Sequence, residues 1–156
     1  MGVVQQTKLV NGPIDKAWEA ISAMDAVTDW HPNVAKVTVF TNQNTGPGAS
    51  RRVEFHDGNS VVETVTEEAN RDFVTMAMSE AQMMKRAVVT ISTKQRSADT
   101  TDVTFALDYT MSLGPIGALM GALMMKRVFT KVFDAALDGL SYHLETGNLV
   151  ADSVPS

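Results

Sequence analysis

Between residues 34 and 111, apolar side chains recur at every second position, and Val, Thr and Phe dominate the stretch. A side-chain period of two belongs to extended chain with one buried face, so this region reads as sheet. Six segments carry the pattern: VAKVTVF (34–40), ASRRVEFH (49–56), SVVETVTEE (60–68), FVTMAMS (73–79), AVVTISTK (87–94) and TDVTFALDYTM (101–111). TGPG at 45–48, DGN at 57–59, ANRD at 69–72 and RSADT at 96–100 supply turn chemistry between them. Short connections of this kind predict an antiparallel meander. EAQMMKR at 80–86 is the link with the weakest turn signal.

Helical punctuation flanks this region on both sides. VVQQTKLV at 3–10 is a further strand candidate, and NGPIDKAWEAISAMD after it reads as a helix. Asn11 or Gly12 stands at its cap and Pro13 at its first position, with Ile14, Ala17, Trp18 and Ile21 forming one apolar stripe. AVTDWHP leaves room for only a short second helix before Pro32. After Gly114-Pro115 a long helix is expected over about 116–145. Its later turns oppose a polar stripe (Arg127, Thr130, Lys131, Asp134, Asp138, Ser141, Glu145) to an apolar one (Phe129, Val132, Phe133, Ala136, Leu140, Leu144). One domain over 1–146 and a flexible tail over 147–156 are expected.

The order is strand, two helices, six strands, long helix. A twisted antiparallel sheet curls, and a long helix laid across its concave face closes a cavity. Mostly apolar concave spaces of that kind hold small molecules.

Composition narrows the partners. A net charge of −5 with no basic run argues against a nucleic-acid backbone. Without cysteine there is no disulfide or thiolate chemistry, and His31, His56 and His143 lack a metal-ligand spacing, so no metal or other cofactor is expected. MGVVQQTKLVNGP lacks the layout of a secretion signal, and a cytoplasmic address is the expectation. The apolar run at 113–125 falls well short of the ~20 residues that span a bilayer.

The element order, GPIDKAWEAISAMDAVTDWHPNV, and Gly48-x-x-Arg51 followed by Asp57-Gly58 and Glu63 resemble the SRPBCC superfamily. The likeness covers about residues 3–146 and is strongest to the polyketide cyclase/dehydrase-like branch of these START-like proteins. It implies an α+β helix-grip fold, in which a curved seven-stranded antiparallel sheet wraps around a long C-terminal helix, with two short N-terminal helices. It also implies a cavity for a hydrophobic ligand, without fixing a reaction.

A two-residue type I′ turn at Asp57-Gly58 would pair His56 with Asn59 and set Arg52 opposite Glu63. Arg52, Glu54, His56 and Glu63 then share a face, either as a solvated ion-paired surface or as a polar constellation for acid–base work. The other face, with Arg51, Val53, Phe55, Val62 and Thr64, is more apolar and should look at the helix. A shift of one residue would bring in Arg51 instead. Trp30 either plugs the cavity or stacks on a ligand, and His31 stands at the mouth as a proton donor or hydrogen-bond partner. Phe105 and Tyr109 lie on the apolar face of their strand, and the Tyr109 hydroxyl requires a partner.

Eight of the ten methionines fall between Met76 and Met125, a bias suited to adaptable binding walls. The sites expected are therefore His31, His56 and Glu63 for acid–base chemistry. Trp30, Arg52, Met76, Met78, Phe105, Tyr109, Met120, Met124 and Phe129 are expected to hold the ligand. Three readings follow: a binder of a lipid, polyketide or aromatic; a cyclase or dehydratase; and an interaction protein whose apolar helix start meets a second copy.

Overall fold

The computed structural model describes residues 2–81, 84–112 and 115–150, without the side chains of 115–120 and 122. The chain runs β1 (Gly2–Val10), α1 (Ile14–Ser22), α2 (Val27–Trp30), β2 (Val34–Val39), β3 (Ser50–Phe55), β4 (Ser60–Ala69), β5 (Phe73–Ser79), β6 (Met84–Gln95), β7 (Thr101–Met111) and α3 (Pro115–Thr146). The seven strands form one antiparallel sheet in the order β1-β7-β6-β5-β4-β3-β2. This is the helix-grip arrangement expected from the element order. Among the described residues, no helix is long and apolar enough to cross a membrane.

Bulges between Val65 and Glu67, at the start of β2 and at the start of β6 add twist and curl the sheet. β6 begins at Met84, several residues earlier than the sequence pattern suggests. Alternation in β7 is strict: Val103, Phe105, Leu107, Tyr109 and Met111 are all buried.

The N-terminal helices close one end of the concave face. α1 starts one residue later than expected, with Pro13 as its N-cap and Asp15 in its first turn, where a negative charge suits the helix dipole. Ala17, Trp18 and Ile21 bury its stripe, and the Trp30 indole N–H donates to the Ala20 carbonyl at 3.0 Å, tying α2 to α1.

α3 lies closest to β1 and also meets β7, α1 and α2. Its C-terminal half is fastened. Lys8 pairs with Asp138, and the Asn11 amide N–H donates to Ser141 Oγ at 3.2 Å. Ser141 is consequently buried, although it stands on the stripe expected to be polar. Gly139 admits the carbonyl of Trp30 so closely that a Cβ would sit 2.1 Å from that oxygen. Only a residue with no side chain permits this crossing.

Beyond α3 the chain does not peel away at once: the Val150 amide N–H donates to the Asp29 carbonyl at 3.0 Å, and Val150 is buried. The rest of the expected tail, 151–156, lies outside the described residues.

Candidate functional site

The β3–β4 turn determines which charged groups enter the interior. Phe55, not His56, pairs with Asn59: the Phe55 N–H donates to the Asn59 carbonyl at 2.8 Å, and the Gly58 N–H to the Phe55 carbonyl at 3.0 Å. The loop is therefore three residues, His56-Asp57-Gly58, with Gly58 at φ +90°. Loops of this kind join a turn to a left-handed residue, which glycine adopts without strain.

Two sets of bonds select it over the two-residue turn expected from Asp-Gly. The His56 N–H is drawn to the Asn33 carbonyl, 3.0 Å away, and so leaves the β3–β4 ladder. Asp57 Oδ1 accepts from the Asn59 N–H at 2.8 Å, and Oδ2 from the Asn59 side-chain amide at 3.0 Å.

The register shifts by one residue as a result. Arg51 stands opposite Glu63 and Arg52 opposite Val62. Arg51, Val53, Phe55, Val61, Glu63 and Val65 form the inner face, whereas Val62 and Thr64 turn outward, contrary to expectation. Arg52 is on the outer face as well. It pairs with Glu80 at 2.8 Å and lies 5.8 Å from the Phe40 ring centroid, so it takes no part in the cavity lining.

Arg51 is an interior charge. Its Nε donates to Glu63 Oε1 at 2.9 Å, Nη1 to the Met24 carbonyl at 2.9 Å, and Nη2 lies 3.8 Å from Met76 Sδ. Nη2 also approaches Glu63 Oε1 at 2.9 Å. A guanidinium out of water requires this kind of compensation, since an unpaired buried charge is costly.

Beside the pair sits His31, also buried. Its ring stacks on Trp30 at 5.7 Å between centroids and meets Phe55 edge-on at 6.2 Å. Burial, with the Arg51 charge adding to it, pushes the His31 pKa down to about 3. The Asn33 N–H donates to His31 Nδ1 at 3.3 Å, which leaves the proton of the neutral ring on Nε2. His31 is thus a neutral hydrogen-bond donor at the base of the cavity, not a proton-donating imidazolium at its mouth.

Two neighbouring spaces with shared walls lie between the sheet and α3. The outer one, about 540 Å³, opens between the β3–β4 turn, the end of β5 and the first half of α3. Phe55, Met78, Ala81, Met84, Met125 and Phe129 give it apolar walls, and Asn33, His56, Asp57, Asn59 and Ser60 form one polar lip. The inner one, about 70 Å³, ends on His31, Arg51, Glu63, Met76 and Trp30. Phe55, Met78, Phe129 and Val132 line both. A row of aromatic rings backs this space: Trp30 meets Phe105, Phe105 meets Phe133, Phe133 meets Phe129 and Phe129 meets Tyr109, with centroids 5.4–6.4 Å apart.

The expected site residues separate accordingly. Trp30, His31, Glu63, Met76, Met78, Phe105 and Phe129 converge on the two spaces, and His56 stands on the outer lip by its position in the turn. His56 and Glu63 are therefore at different depths, not on one face as the two-residue turn required. Tyr109 is buried against Gly2 and Phe129 and lines neither space. Met124 is 63% exposed, and its neighbour Met125 faces the cavity instead. The Met120 side chain lies outside the described residues. Ala81 and Val132 carried no signal that separated them from ordinary core, and Met84 carried only its place in the methionine-rich stretch. Arg51 was legible in the Gly48-x-x-Arg51…Glu63 motif, on the more apolar face of its strand, and as the residue that a one-residue shift would bring in, although it was not among the expected site residues. Among the described residues, no His, Asp and Glu cluster suits a metal ion.

The chain belongs to the family described as polyketide cyclase / dehydrase and lipid transport, which matches residues 1–145. None of the curated proteins compared matches it in sequence. Among solved structures it is similar to the protein XoxI of Bacillus cereus, at TM-score 0.78 and 15% identity over 94% of this chain and 97% of that one. It is also similar to the aromatase/cyclase ZhuI of a Streptomyces species, at TM-score 0.78 and 18% identity over 92% and 93% of the two chains. A third similar structure is the di-domain ARO/CYC protein BexL, at TM-score 0.77 and 14% identity, over 93% of this chain and 47% of the longer one. At these identities the likeness establishes the fold.

Proposed function

We propose that this protein binds a hydrophobic small molecule, a lipid, polyketide or aromatic, between its sheet and its C-terminal helix. The observation that carries the reading is a methionine- and phenylalanine-walled space of about 540 Å³, which shares its wall residues with a smaller space lined by a buried arginine. Its volume falls within the ~300–1,000 Å³ typical of small-molecule sites. Native mass spectrometry of protein purified from its own host tests the reading, with a co-purifying apolar molecule as the expected result. A panel of lipids, polyketides and aromatics that leaves the thermal unfolding midpoint unchanged would count against it.

A second reading, as a cyclase or dehydratase, draws on the convergence of His31, Arg51 and Glu63 at the inner end. Arg51 supplies a fixed positive charge where an enolate oxygen would develop, and the His31 Nε2–H supplies a neutral donor beside it. His56, exposed on the outer lip, would be the histidine that meets both solvent and ligand in this reading. Turnover of a polyketide that survives Arg51→Met together with His56→Ala would remove this reading and leave the binding one intact.

A further inference from the structure

The mouth of the cavity carries a chemistry that the interior does not explain. From Tyr109 to Phe133 the chain has no Asp or Glu, yet it holds Lys126, Arg127 and Lys131, in a protein of net charge −5. On this segment Leu123 and Met124 are 64% and 63% exposed and Val128 is 44% exposed. Lys126 and Arg127 are exposed between them and Val128. Val128 also lines the outer cavity, and Met125 beside it does the same, so the exposed apolar surface continues into the entrance. Across the mouth, Met84 lines the entrance and Lys85 next to it is exposed. Arg86 is already paired with Asp108 at 3.3 Å, and Asp57 is the acidic group on the opposite lip.

We infer that the first half of α3 docks on an anionic lipid surface and brings the cavity mouth against it. Exposed Leu, Met and Val side chains would enter the acyl boundary, while Lys126, Arg127 and Lys85 meet negative headgroups, the layering that an interfacial helix requires. A second copy fits less well, because a two-fold axis through this patch would bring Lys126 and Arg127 onto their own images. An acidic protein would satisfy the charges but leave the protruding apolar residues without a matching phase. The inference uses the cavity reading only for its purpose, and its test needs no cavity ligand, so either can fail alone.

The test is co-sedimentation of the full chain with extruded phosphatidylcholine vesicles, with and without about one third phosphatidylglycerol. Binding to the anionic vesicles alone is expected, weakening as salt rises from about 0.1 M to about 0.5 M. Lys126→Glu with Arg127→Glu should weaken partitioning at least about tenfold. Leu123→Asp with Met124→Asp should do the same while leaving the thermal midpoint unchanged, because these side chains are exposed. Three results would overturn the inference: no binding to anionic vesicles at low salt, equal partitioning of wild type and both variants, or a solution dimer that Met124→Asp dissociates. Retention of an acidic protein by a chain inert toward vesicles would replace the lipid surface with that partner.

Discussion

His31 and the Arg51–Glu63 pair show how two adjacent residue choices set the interior electrostatics. The His31 ring keeps a pKa near 3 when folded, whereas an unfolded chain protonates it near 6.5. The unfolded state therefore binds more protons between these values, and stability rises with pH across that window. The contribution is intact above about pH 6.5 and is lost as pH falls toward the folded value. Between pH 7 and pH 5 the His31 share of the loss should be about 2 kcal/mol. Urea unfolding at the two pH values should show a shallower decline for His31→Asn, whose side-chain oxygen can replace Nδ1 as acceptor. For the ion pair, Glu63→Ala leaves a buried guanidinium unpaired and should cost about 3 kcal/mol in the same assay. Arg51→Met with Glu63→Leu should recover most of that, since removing both charges also removes their desolvation cost.

Among the elements, strands and long helix were legible because burial on one face imprints its period on the sequence: Phe105 and Leu107 alternate with polar neighbours whatever the partner strand. The register of β3 on β4 was not legible in the same way. Asp57-Gly58 suits a two-residue or a three-residue loop, and the choice rests on a bond from the His56 N–H to Asn33, far away in the pattern. Arg51 and Arg52 are chemically identical neighbours, so one residue of register exchanges an interior cation for a surface one. Gly139 was equally silent. It reads as a poor helix residue until Trp30 is seen against it.

Replacing Gly139 with Ala should improve helix propensity by about 1 kcal/mol and yet lower stability by about 2 kcal/mol or more, because the new Cβ meets a backbone oxygen. Gly46→Ala is the control. It has φ +84° and open space around it, so only backbone strain of about 1 kcal/mol should appear in a thermal scan.

At the scale of the molecule, the cavity exists because α3 follows β1 and β7 and leaves β3, β4 and β5 across a gap. The expected partition into sheet, cavity and gripping helix follows from element order and curvature. The position of the entrance does not, since it depends on where the β3–β4 turn and the end of β5 stand relative to Met125 and Phe129. Ala81→Trp should fill that entrance from its edge, reducing affinity for any co-purified ligand by tenfold or more with the midpoint nearly unchanged. Isothermal titration with the identified molecule would measure it, and undiminished affinity would place the route elsewhere.

Gly139 against Trp30, Lys8 with Asp138 and Asn11 with Ser141 all hold the same half of the long helix. That helix is accordingly bolted at one end, and its free energy of local opening should fall along its length like the play in a door measured outward from the hinge. Amide exchange should be slowest around 136–141 and fastest across 123–128, with the difference large in the empty protein. Anything that fills the space behind Phe129 would flatten the gradient, so exchange rates along one helix report occupancy without a label on the ligand.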